Sequence, residues 1–123
     1  MTIQECYEQI GGDYNEIMSR LRTEERIRKF AGMFLKEQSY NTLVQTLKDR
    51  NQEEAFRAAH TLKGVCQNLS FTALFKSSYD ITEALREGDM EKADKLLEKV
   101  TEDYQRTLAV SYTHLTLPTI CSV

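Results

Sequence analysis

Proline is nearly missing from this chain. The single one is Pro118, so nothing before it removes a helical amide donor or forces a kink. Tryptophan is absent, and the two histidines are His60 and His114. No H-x-x-x-H pair and no close cysteine pair occurs, which leaves a metal-dependent hydrolytic enzyme without its ligands. Cys6, Cys66 and Cys121 are odd in number and far apart, so they suit neither a disulfide framework nor a metal site. Cys66 reads as a small core hydrophobe. The five glycines form no phosphate-cradling loop, so nucleotide binding by a known motif is not expected. No apolar run approaches the ~18 residues of a membrane span. Sixteen basic against nineteen acidic side chains give a net charge of −3, which leaves no basic footprint for nucleic acid. The opening MTIQECYEQI lacks the basic region of a secretory signal, so a cytoplasmic location is expected.

What is present is helical periodicity. The chain has 123 residues, enough for one domain with one core. Ile3, Cys6, Tyr7 and Ile10 mark a short helix ended by Gly11 and Gly12. Asp13 can cap a second, with Tyr14, Ile17, Met18 and Leu21 on one face. Thr23 precedes Ile27, Phe30, Ala31, Phe34 and Leu35. Ser39 or Asn41 opens a segment with Leu43, Val44 and Leu47. Further helices are expected from about residue 51 to 69, from 71 to 87, and from Asp89 onward, with Ala93, Leu96, Leu97, Val100, Tyr104 and Leu108 along one side. Short turns between long amphipathic segments predict an all-α fold, an antiparallel four-helix bundle with short N-terminal capping helices. The long helices starting near 23, 51, 71 and 89 are expected to form it.

Residues 110–123, VSYTHLTLPTICSV, depart from the rest. All the charged side chains lie before them, and they hold the proline and a cluster of threonines and β-formers. The segment resembles the in-frame translation of a transposase-type sequencing-library adapter. The expected organisation is therefore a domain over 1–109 and a non-native or disordered tail over 110–123, with a natural, poorly ordered tail as the alternative. His114 and Cys121 are left out of the functional reading on that ground.

The stretch NQEEAFRAAHTLKGVCQNL, residues 51–69, carries the chemistry. At 100° per residue, Ala55, Ala58, Ala59, Leu62, Val65, Cys66 and Leu69 fall on one arc. Glu53, Phe56, Arg57, His60, Lys63, Gly64 and Gln67 fall on the other, with His60 at its centre. Glycine within a helix costs ~1 kcal/mol relative to alanine. On a wet face core crowding cannot account for Gly64, but it clears space beside an imidazole one turn away. A lone histidine on a helix is ordinarily a surface residue. Lys63 at i+3 and Gly64 at i+4 weaken that reading, and a nucleophilic ring, a cation and open space together point to phosphorylation of His60. Gln67 reads equally as a phosphoryl or imidazole partner and as a plain surface glutamine. Phe56, out of place among polar residues, either tucks beneath a neighbouring helix or joins a docking patch.

AHTLKGVCQNLSF resembles the phosphoacceptor motif of histidine-containing phosphotransfer (HPt) domains, roughly H-x-x-K-G followed by a small and apolar run. His60, Lys63 and Gly64 match it at the family spacing, and Leu62 and Leu69 fall on core positions. Ser70 departs from it, because many members carry glycine there. The resemblance implies that Nε2 of His60 accepts a phosphoryl group from a receiver-domain aspartyl phosphate, or from a histidine kinase, and passes it to another receiver. Lys63 and Gln67 would stabilise the phosphoryl group, Gly64 would admit the partner, and Phe56 and Arg57 would help to dock it. The implied partners are response-regulator receivers and a hybrid histidine kinase, with no nucleic acid, no membrane and a monomeric state. Implied too is a phosphocarrier with no catalytic centre, cofactor or metal of its own. The competing reading is a helical adaptor that keeps the bundle and has lost phosphotransfer.

Overall fold

The computed structural model describes residues 2–115. Seven α-helices fill it: α1 (Ile3–Ile10), α2 (Tyr14–Leu21), α3 (Glu24–Phe34), α4 (Ser39–Lys48), α5 (Gln52–Leu69), α6 (Thr72–Arg86) and α7 (Met90–Val110), followed by a π-helical turn, Ser111–Leu115. No strand occurs among the described residues.

Side chains fix most of the helix starts. Thr2, Asp13, Thr23, Asn51 and Asp89 each accept a hydrogen bond from the amide three residues on, which satisfies one orphan donor of the first turn. The Thr2 cap is reciprocal, because Glu5 reaches back to the Thr2 amide at 2.9 Å. Helix α4 starts at Ser39, after Gln38, with no side-chain cap.

Helices α4, α5, α6 and α7 pack in sequence, and α7 returns to α4, closing a four-walled bundle. The links 49–51, 70–71 and 87–89 are too short for anything but antiparallel neighbours. Helix α3 lies against α5 and the π-helical turn, so α3 and α4 share the wall that the sequence assigned to a helix from residue 23. The core joins Ile27, Ala31 and Phe34 of α3 to Leu43, Leu62, Leu74, Ile81, Leu85 and Val100. Phe30 differs from its expected core place and is exposed, because the buried stripe of α3 is narrower than its apolar one.

The N-terminal helices tie down the C-terminal end of α5. Ser70, the C-cap of α5, takes a left-handed conformation at φ 56°, the region that glycine enters most readily. Its hydroxyl donates to Glu16 at 2.6 Å, and its carbonyl accepts from the Asp13 amide at 2.9 Å. Nη1 of Arg20 donates to the carbonyls of Gln67 and Asn68, at 2.7 and 2.9 Å, covering orphan acceptors at the negative end of the helix dipole. Gly11 closes α1 at φ 77°, and a Cβ there would meet Cβ of Ala73 at 2.9 Å, so this turn sits against the start of α6.

Tyr7 fills the junction. Its buried ring packs on Phe71, and its hydroxyl donates to the Leu69 carbonyl at 2.9 Å. Burial pushes its phenol well above the usual tyrosine range. The folded state therefore holds this proton to higher pH than the unfolded chain does. The resulting stability is complete below pH ~10 and is lost as pH rises beyond it. Tyr7→Phe should cost ~1–2 kcal/mol at neutral pH, by leaving a buried carbonyl short of a donor, and should reduce the alkaline loss. Denaturant midpoints at neutral and alkaline pH check both parts.

The expected break at residue 110 is not a structural one for the first residues of the segment. Tyr104, Leu108, Ser111 and Leu115 continue the helical spacing of α7, and Val110, Ser111 and Leu115 are buried where α7 meets α1 and the π-helical turn meets α1 and α3. Nη1 of Arg28 donates to the Leu115 carbonyl at 3.3 Å. The loss of charge after residue 109 marks a change in composition, whereas packing follows apolar spacing. Residues 116–123, including Pro118 and Cys121, lie outside the described residues.

Candidate functional site

Helix α5 buries Ala55, Ala58, Ala59, Leu62, Cys66 and Leu69 and turns its other face outward, as its wheel requires. His60 is exposed at the middle of that outer face. Its ring centroid lies 5.9 Å from that of Phe56, one turn back, with the planes tilted by 40°. Phe56 is half-buried and lines a hollow with Leu85 and Arg86 of α6, so it is both tucked against the neighbouring helix and open on one side. The Arg86 guanidinium carbon stands 5.0 Å from the Phe56 ring centroid. Phe56, Arg57, His60, Thr61 and Arg86 line one open hollow on the α5–α6 face.

Lys63 is half-buried on the other side of His60, with Nζ 5.5 Å from the ring centroid of Tyr79 on α6. No salt bridge involves Lys63 among the described residues, so its charge is held by an aromatic face and not by a carboxylate. Arg57 is different: Nη2 contacts Glu53 at 2.9 Å and Nη1 contacts Glu54 at 3.0 Å. Gly64 stands in open space, and a Cβ built on it meets no atom within 4 Å. Gln67 is exposed beyond Gly64 and lines a separate hollow with Arg20, Glu16 and Phe75.

His60, Phe56 and Arg57 thus share one hollow, Lys63 and Gly64 border His60 along the helix, and Gln67 stands apart. The sequence places a helix at α6 but assigns none of its side chains to the site. Tyr79 and Arg86 fall within about 20° of each other on its wheel, beside Phe75 and next to the buried stripe of Leu74, Ser78, Ile81 and Leu85. A tyrosine and an arginine on such a border are the signal that could have placed them beside the outer face of α5.

The open space at Gly64 gives its substitution a definite sign. Gly64→Ala should raise stability by up to ~1 kcal/mol, because alanine is the better helix former and nothing obstructs its methyl group. A rise in melting temperature checks this.

The site is an exposed imidazole on a packed helix, with Lys63 and Arg86 nearby. The Hpt domain model matches residues 32–110, well over half of the chain, and the protein belongs to the Hpt domain family, whose members are phosphocarriers in histidine phosphorelays. No curated protein and no solved structure matches the chain. Among the described residues no helix is long and apolar enough to cross a membrane.

Proposed function

We propose that His60 is the phosphoacceptor of a phosphorelay intermediate, charged by the aspartyl phosphate of a receiver domain or by a histidine kinase, and discharged to another receiver. The observation that carries the reading is the exposure of His60 at the centre of an otherwise well-packed helix, beside a glycine with nothing around it. The lone pair of an unprotonated ring nitrogen attacks phosphorus, and a P–N bond forms. The P–O bond to the aspartate breaks, and its electron pair leaves on the carboxylate. Transfer to the next receiver is the reverse, with that receiver's aspartate as nucleophile. This chemistry needs in-line alignment and charge neutralisation more than covalent help from the carrier.

Lys63 supplies a cation next to the phosphoryl oxygens. Gly64 leaves room for the receiver, Phe56 and Arg57 form part of the surface it meets, and Gln67 is the outer polar neighbour of that surface. The folded unit is taken to run through Leu115. Phosphate uptake from a phosphorylated receiver tests the reading, and an adaptor that has lost phosphotransfer would take up none.

The access role of Gly64 has its own test. Gly64→Gln should keep the fold yet slow transfer from a receiver by roughly a hundredfold, since displacement of the reacting atoms by ~1 Å costs about that much. A small phosphodonor should be affected less. Wild-type transfer by Gly64→Gln would remove the access argument.

A further inference from the structure

Two arginines line the hollow that holds His60, and they are not equivalent. Arg57 has both terminal nitrogens engaged, one by Glu53 and one by Glu54. Arg86 is engaged through Nε, which meets Glu83 at 3.0 Å, and its terminal nitrogens have no hydrogen-bond partner among the described residues. Its guanidinium instead lies over Phe56, the ring that also touches His60. Stacking on an aromatic face holds a guanidinium in place without consuming its in-plane N–H donors. Phe56 is partly buried against the core and lines a hollow with Leu85, while the Arg86 side chain is 54% exposed.

We propose that Arg86 is a second cation for the phosphoryl group on His60, and that Phe56 is the residue that positions it. The inference rests on the reading of His60 as phosphoacceptor. The two free guanidinium nitrogens form a fork suited to two phosphoryl oxygens, a geometry that the point charge of Lys63 does not offer. Lys63 approaches from the Tyr79 side and Arg86 from the Phe56 side, so the phosphoryl group is held between cations on opposite flanks of the imidazole. Glu83 keeps Arg86 partly neutralised until that group arrives. No bond is made or broken by Arg86 itself.

A thermodynamic measurement separates this role from receiver docking. The equilibrium distribution of phosphate between a receiver and this chain depends on the phosphorylated and free forms of each, whereas a docking contact changes the rates in both directions and leaves the distribution alone. The full chain is mixed with a receiver domain charged with acetyl phosphate and freed of excess donor, and the phosphate on each partner is followed to its plateau. Arg86→Gln should shift the plateau about tenfold toward the receiver, as loss of a charge-assisted contact requires. Arg86→Lys should recover part of that shift, since it keeps the charge and loses the fork. Phe56→Leu, which keeps an apolar wedge but removes the ring face, should shift the plateau in the same direction by a smaller factor. An unmoved plateau with slower approach in Arg86→Gln would make Arg86 a docking contact and overturn the inference while leaving the His60 reading intact. No uptake by the wild-type chain would overturn both.

Discussion

His60→Gln is expected to take up no phosphate from a phosphorylated receiver and to keep its fold. Glutamine has no ring nitrogen that can attack phosphorus, and no other histidine lies on the outer face of α5. Because His60 is exposed and its described ring contact is the tilted ring of Phe56, its loss opens no cavity and strands no buried donor. A change of this kind ordinarily stays within ~0.5 kcal/mol. Acid-labile, base-stable phosphate should therefore vanish, while the helical circular-dichroism signal and the melting temperature hold. Residual uptake would mean that another side chain carries the phosphoryl group. Loss of the helical signal would mean that His60 is part of the packing.

A chain ending at Ala109 should melt more than about 10 °C below one ending at Leu115. The shorter chain loses Val110 and the fully buried Leu115, and exposes the surfaces of α1 and α3 that they cover. Burial of each such side chain contributes ~1.5–3 kcal/mol, and a small domain moves several degrees for each kcal/mol lost. The carbonyl–Arg28 contact goes as well. Equal melting temperatures for the two chains would show that the folded unit ends before the π-helical turn.

That segment also shows where sequence reading stopped short. Its composition changes abruptly at residue 110, whereas its apolar spacing does not. The stripe through Tyr104, Leu108, Ser111 and Leu115 was legible, and the structure follows it. Elsewhere periodicity sufficed, because the buried set of α5 is the apolar arc of its wheel apart from the half-buried Val65. Caps at Asp13, Thr23 and Asp89 follow from side chains that satisfy amides three residues away, which is local chemistry.

What was hidden depends on two helices at once. Arg20 reads as an ordinary charge on α2, and only the docking of α2 brings it to the carbonyls that end α5. Tyr79 and Arg86 acquire meaning only when α6 lies beside the outer face of α5. Asp103 belongs to a helix whose charges look uniformly solvated, yet it is buried and is reached by Lys99 at 3.1 Å and Arg106 at 3.5 Å. Such placements depend on interhelical register, which no single helical wheel contains.

The central claim is that one phosphoryl group comes to rest on His60. The most direct measurement is to charge the purified chain from a phosphorylated receiver, digest it under alkaline conditions that preserve phosphohistidine, and locate the modification by mass spectrometry. A single phosphoryl group is expected on the peptide containing His60, with the fragment ions placing it on that residue. A chain that remains unmodified, or one phosphorylated at any other residue, would contradict it.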